Sequence, residues 1–247
     1  LLALLYPNKV RTREADVHVI TSRDGLLQTL PELGALAGSG RTLGTGISAL
    51  DALAPGGAFA CGAVHEVLNP STKYRSFLLP ALLARSAVAQ GWIAWCDCTG
   101  ELYPTALHAL GVPMNRLLVL RPSTPVEALW TMAECLRCRG IAACICPVGK
   151  ISRIQARRLQ LAAEHGGGIG IVLRGADALG WPYAAATRWM VSPARGERMV
   201  QRVRVELLHG HGGRIGQSVL LEVCRETNHV RAADKLADRS DKAFKTG

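Results

Sequence analysis

No apolar run in this 247-residue chain is long enough to cross a bilayer. The longest, around Phe77 to Ala84, is cut at Arg85, far short of the ~20 residues that a span needs. Charge is sparse at 19% and aromatic residues sparser at 5%, while 49% of the chain is hydrophobic, which excludes a disordered protein. The apolar content is mostly Ala, Leu and Val, a palette that suits helices packed on a buried parallel sheet. A second C-x2-C cysteine pair is also missing. Cys135-x2-Cys138 stands alone, and His209-Gly-His211 is a weaker pattern still, so neither supports a zinc site. Most of the eight cysteines lie in apolar runs such as "WCDCTG" and "AACICP". Without a visible secretory signal, they read as buried reduced thiols rather than a disulfide framework. The first residue is Leu, so the true start lies upstream or at a non-ATG codon; "LLALLYP" is too short and wrongly flanked for a signal peptide. The expectation is a cytoplasmic protein with no membrane contact.

Positive charge is present in excess. The formal net charge is +10 and the isoelectric point about 9.6, a bias toward polyanions or an acidic partner. Between Lys150 and Arg204 there are ten Lys or Arg against three acids, so seven of the ten net charges fall there. Arg153 and Arg157 are spaced i, i+4 and share one helix face, with Ile151, Ile154 and Leu159 expected opposite. Together with Arg158 they are the candidate contacts to single-stranded DNA. A solvated basic face or a protein-binding surface fits the same pattern.

The chain divides into an N-terminal appendage and linker over 1–40, a core over 41–224 and a charged tail over 225–247. In the core, Thr45 or Ser48 can cap a short helix carrying Ile47, Leu50 and Leu53, and Pro55-Gly56-Gly57 ends it. Strands are expected at 63–68, 92–96, 117–120, 141–146 and 169–173. Helices are expected between them at 76–90, 101–110, 125–139 and 152–165. Short apolar strands separated by ten to fifteen helical residues mean a parallel sheet covered on both faces. The last third, "VQRVRVELLHG" and "GQSVLLEVC" around "HGGRIG", reads as an antiparallel hairpin.

The segment "EVLNPSTKYRSFLLPALL", residues 66–83, is laid out like a phosphate-binding loop between a strand and a helix. Such loops, G-x-x-x-x-G-K-[ST], wrap backbone N–H groups around an anion; their glycines leave room, the Lys supplies charge and the hydroxyl holds magnesium. Aligned on the hydroxyl, Asn69 and Tyr74 stand at the glycine positions, Arg75 at the lysine and Ser76 at the magnesium ligand, with Pro70, Ser71, Thr72 and Lys73 between. Asn tolerates a left-handed backbone, whereas Tyr does not. The rigid guanidinium of Arg75 does not replace a lysine point charge. The strand "IAACIC" runs into Pro147, and no Asp or Glu occurs from Ile141 to Lys150 to hold magnesium through water. Two lesions in one site predict loss of ATP hydrolysis and a relic nucleotide site over residues 69–76. Asp97 and Glu101, past the second strand, stand where a water-activating carboxylate would lie. Pro80 in the following helix is a distinctive local feature.

The order "LGTGISALDALAPGGAFACGAVHEVL", degenerate loop, "SFLLPALLARSAVAQGWIAWCD", "ELYPTALHALGVPMNRLLVLRP" resembles the RecA-type ATPase core, and more closely the ImuA family of RecA-like accessory proteins. The features that favour ImuA are "FLLPALL", "GELYPTALHALGV" with "RLLVLRP", "RRLQLAAEHGGGIGIVLR" and the late "RVRVELLHGHGGRIGQSVLLEV". The likeness spans roughly residues 40–224 and implies an α/β fold with a RecA-like, P-loop-type core. It further implies a role in DNA-damage-induced mutagenesis, beside an ImuB-like Y-family protein and an error-prone DNA polymerase. Set against the altered loop, it predicts a non-hydrolysing adaptor in translesion synthesis with no cofactor, ATP and magnesium being doubtful. The alternatives are a DNA-stimulated ATPase with a divergent loop, in which Arg75 and Ser76 bind nucleotide and Glu101 positions water, and a SulA-like or RecA-binding regulator of the SOS response.

Overall fold

The computed structural model describes residues 17–34, 41–71, 76–181 and 185–233. Seven strands run parallel in the order β1 (His18–Ile20), β6 (Leu117–Leu120), β5 (Trp92–Cys96), β7 (Ile141–Pro147), β8 (Ile169–Gly175), β4 (Ala63–Asn69) and β9 (Thr187–Glu197). The sheet then continues antiparallel through β10 (Val200–Gly210), β11 (Ser218–Cys224) and β12 (Val230–Ala232). The expected α/β class is borne out. A two-stranded sheet of β2 (Thr42–Leu43) and β3 (Phe59–Ala60) stands apart.

The direction of travel across the sheet decides which face each helix covers. From β4 the chain moves outward through α3 (Leu78–Ala87) to β5 and through α4 (Pro104–Ala109) to β6. It returns through α5 (Pro125–Arg137) to β7 and α6 (Arg153–Gly166) to β8. Right-handed crossovers taken in opposite directions put the two pairs on opposite faces. Two apolar clusters follow. Leu79, Leu82 and Leu83 pack with Val67, Trp95, Ile145, Ile171 and Trp189 on one side; Met132, Leu136, Leu159 and Ala163 pack with Val64, Ala94 and Leu118 on the other. The alternation of β10 then reads simply: Val203, Val205 and Leu207 face the first cluster, while Arg202 points the other way and pairs with Glu222, which also holds Arg231.

Several local features differ from expectation for definite reasons. Residues 17–34, expected within an appendage, add β1 to the sheet edge beside β6 and bury Leu26 and Leu30 against α5; α1 (Arg23–Thr29) is capped by Ser22. In the region expected as tail, Val230–Ala232 pairs with β11, and residues 234–247 lie outside the described residues. The first core helix starts at Leu78 rather than residue 76, so Pro80 is its third residue. In the first turn a missing N–H breaks no helical hydrogen bond. The short helix α2 (Ser48–Asp51) has no side-chain cap from Ser48; instead Asp51 Oδ1 accepts from the backbone and hydroxyl of Thr45 at 2.7 and 2.8 Å, and Arg85 of α3 donates to the Thr45 carbonyl.

The run "HGGGIG" has a steric cause. A Cβ on Gly166 would lie 2.0 Å from the Leu136 carbonyl oxygen and one on Gly168 2.3 Å from that of Ile141, while Gly167, at φ 81°, ends α6. Ser152 and Gln155 close the other end with a capping box.

His65 is buried in a satisfied neutral network. Its Nε2–H donates to the Ala60 carbonyl at 2.9 Å, and the Thr187 hydroxyl donates to Nδ1 at 2.7 Å while accepting from Trp189 Nε1–H. Burial lowers its pKa to about 4 from an ordinary 6.5. A depressed histidine stays neutral in the fold while the unfolded chain takes up a proton, so its stability is complete above pH 6.5 and is lost as pH falls toward 4. We expect about 3 kcal/mol of acid-side destabilisation in that window. Urea titrations at pH 7 and pH 4.5 should show this difference shrink in His65→Gln; an unchanged pH dependence would remove the assignment.

Candidate functional site

The strand order places the carboxyl ends of β4, β8, β7 and β5 side by side, where open α/β sheets bind ligands. Asn69 pairs with Gly175 and Pro147 with Leu173, so the loops after these strands share one rim. A cavity of about 220 Å³ lies there. Asn69, Ser71, Phe77, Cys98, Gly149 and Asp177 are among its walls, and Arg174 closes one side.

Asn69 is buried, and its Oδ1 accepts the backbone N–H of Ser76 at 2.8 Å. In a phosphate loop this amide, at the hydroxyl position just ahead of the helix, faces the anion. Here a carboxamide oxygen of the chain itself takes it. The Ser76 hydroxyl accepts from the Leu78 N–H at 3.4 Å. Pro70 is exposed, Ser71 borders the cavity, and Thr72, Lys73, Tyr74 and Arg75 lie outside the described residues.

The two carboxylates expected near the second strand are not among the cavity walls. Asp97 is buried; its Oδ1 accepts the Leu102 N–H at 3.1 Å and its Oδ2 stands 3.7 Å from Arg121, so it pins the turn into α4. Glu101 is exposed and accepts from the Thr99 hydroxyl. The cavity's acid is Asp177, beyond β8, which sequence reasoning did not single out. At the end of β7, Pro147 occupies the place where a magnesium-holding acid would be sought.

A second feature that sequence reasoning missed holds this rim together. Glu66 on β4, Arg174 on β8 and Arg188 on β9 are all buried. Glu66 Oε1 accepts from Arg174 at 2.7 Å, and its Oε2 accepts from Arg188. Arg174 also donates to the Gly149 carbonyl in the loop after β7, and Arg188 to the carbonyls of Ala178 and Leu179 in the crossover after β8. The described part of that crossover is a 3-10 turn, Ala176–Gly180, and Arg188 supplies its carbonyls with donors from below. The available signal was a charged residue inside a strand otherwise written for burial, "AVHEVLN".

The basic stretch does not form one surface. Arg174, Arg188 and Arg204 are buried, and Arg202 is bound by Glu222 and Glu197. Arg153, Arg157 and Arg158 are exposed on α6, with Arg157 3.7 Å from Glu164. Ile154, expected opposite them, is 69% exposed, and Leu161 is also exposed, so the arginines share their face with apolar side chains. Leu159 is buried as expected, and Ile151 is half-buried. Among the described residues, no three His, Cys, Asp or Glu are grouped to hold a metal ion, and no helix is long and apolar enough to cross a membrane.

No family model matches the chain. The chain is 29% identical to Protein ImuA of Caulobacter vibrioides over 231 residues, covering 83% of this chain and 94% of that protein. Protein RecA of Crocosphaera subtropica is 36% identical over 96 residues, 39% of this chain and 27% of RecA. Cell division inhibitor SulA of Edwardsiella piscicida is 27% identical over 99 residues, 40% of this chain and 59% of that protein. The expected resemblance to ImuA, with a RecA-like relationship behind it, is therefore shown.

Replacing Glu66 by Gln leaves two buried guanidinium groups sharing a neutral partner. Removing one member of a buried ionic group costs about 3–5 kcal/mol. Chemical denaturation of Glu66→Gln should show a loss of that order, and a loss below about 1 kcal/mol would deny Glu66 its place at the centre.

Proposed function

We propose that this ImuA-like, RecA-related chain is a non-hydrolysing adaptor in the bacterial DNA-damage response. It supports error-prone translesion synthesis in the cytoplasm together with an ImuB-like Y-family protein and an error-prone DNA polymerase. The biological half of this reading rests on the likeness to ImuA, which runs through most of both chains. The chemical half rests on one contact, the Asn69 carboxamide on the Ser76 N–H, which takes a donor that a bound phosphate would need.

Charge supports the same reading. Among the described walls, Arg174 is the cationic side chain and Asp177 the anionic one. Arg174 is already bound to Glu66 and the Gly149 carbonyl. A triphosphate carries several negative charges, and this rim offers it no uncommitted cation among those walls. With no acid at the end of β7, an attacking water has no partner there. A RecA-like core that keeps its sheet and gives up its phosphate donors retains surfaces rather than turnover.

The exposed face of α6 is the proposed contact to single-stranded DNA. Arg153, Arg157 and Arg158 would meet phosphates, and Ile154 and Leu161 give bases an apolar surface beside them. The likenesses to SulA and RecA support a second reading, a SulA-like or RecA-binding regulator of the SOS response.

Affinity purification of the tagged chain from DNA-damaged cells separates the two. Recovery of the Y-family protein and polymerase supports the adaptor; recovery of RecA alone supports the regulator. For the DNA contact, fluorescence anisotropy with a single-stranded oligonucleotide across a salt series should give an affinity that falls steeply with salt. Changing Arg153, Arg157 and Arg158 together to Gln should lower the log–log slope by about 2, since each phosphate contact on a single strand contributes ~0.7. An unchanged slope would place the DNA contact elsewhere.

A further inference from the structure

Five of the eight cysteines form one run of neighbours that reaches the cavity at Cys98: Cys135 on α5, Cys144 and Cys146 on β7, Cys96 at the end of β5, and Cys98 two residues on. The register of β5 and β7 pairs Ala94 with Cys144, which places Cys96 and Cys146 next along the same face. Cys98 and Cys146 meet at one point. Their sulfurs lie 3.8 and 3.7 Å from the same carbonyl oxygen, that of Pro147. The neighbouring Cys146 thiol lowers the Cys98 pKa, while Cys96 first and then Cys98 raise that of Cys146.

Access separates the two. Cys98 is exposed and forms part of the cavity wall beside Thr99 and Pro147, whereas Cys146 is buried under it. Cys96, in contact with Cys146 from the other side, is fully buried, so solvent reaches this group of thiols at Cys98. An accessible thiol biased toward its thiolate, with a buried thiol against it, is the arrangement of an attacking cysteine and its resolving partner.

We propose that Cys98 and Cys146 form an oxidisable dithiol at the rim of the cavity, which hydroperoxides convert to an intramolecular disulfide. The Cys98 thiolate attacks one peroxide oxygen, the O–O bond breaks, and the departing hydroxide or alkoxide takes a proton from water. Cys98 is then a sulfenic acid. The Cys146 sulfur attacks the Cys98 sulfur, the S–S bond forms as the S–O bond breaks, and the released hydroxide leaves as water with the Cys146 proton. Two thiols lose two electrons, and one hydroperoxide is reduced to water and an alcohol, or to two waters when it is hydrogen peroxide. The product ties the loop after β5 to the end of β7 across the cavity wall. The proposal is independent of nucleotide, DNA and partner binding.

The test is a peptide map of the reduced full chain treated with stoichiometric hydrogen peroxide, digested with trypsin without reductant and read by tandem mass spectrometry. Fragments 86–116 and 140–150 carry Cys96 with Cys98 and Cys144 with Cys146, respectively. The expected product is these two fragments joined with the loss of two hydrogens, backbone fragmentation assigning the link to Cys98 and Cys146. Cys98→Ser should abolish the link. Cys146→Ser should abolish it too and leave Cys98 as a sulfenic acid trapped by dimedone. A link that survives in Cys98→Ser, a link assigned to Cys96, or conversion of Cys98 in the native chain to sulfinic acid or intermolecular dimers without the internal link would each overturn the proposal. The native map needs no variant to fold.

Discussion

One buried carboxylate holds three strands and two loops in a single arrangement. Glu66 sits in the middle of the sheet between Arg174 and Arg188, and each arginine reaches beyond it to backbone carbonyls of a loop at the cavity rim. Without the acid, two guanidinium groups would be buried unneutralised; without Arg188, the Leu179 and Trp181 carbonyls after β8 would lose a donor. A parallel sheet usually seats apolar helices on both faces. At this point it seats a short polar turn, and the charged trio is what makes that possible.

The same trio sets the character of the cavity. Arg174 contributes to its wall but arrives already paired, so the positive charge faces inward to Glu66. Asn69 does the equivalent with hydrogen bonding, taking the Ser76 N–H inside the loop. A cradle for an anion needs unspent donors. Here donors that the architecture could direct at a ligand are spent within the protein.

Much of the fold was legible in the sequence. The apolar strands at Trp92–Cys96 and Leu117–Leu120 were bounded correctly, as was the start of α5 at Pro125, since turn residues and caps mark those ends. Other features depend on long-range contacts that carry no local signal. Residues 17–34 read as an appendage because three residues of edge strand have too little periodicity to announce their pairing with β6. Pro80 stood fifth in the helix expected from residue 76 and is third in α3, whose start two residues later no local signal marked. Ile154 looked like a core position, yet only the docking of α6 on α5 decides which of its faces is covered. In the site, Asn69, Ser76 and Pro147 were legible as positions at the ends of β4 and β7 and ahead of α3. Glu66 with its arginines, Asp177 and the Cys98–Cys146 approach were not, because each joins residues far apart in the chain.

With the Ser76 N–H held by Asn69 and Arg174 held by Glu66, the proposed adaptor is expected not to bind a nucleoside triphosphate. Thermal unfolding with and without millimolar ATP and magnesium tests it most directly. A ligand at 100 times its dissociation constant adds about 2.7 kcal/mol of stability, a shift well within detection. The unfolding midpoint should not change. A saturable, magnesium-dependent rise would contradict it.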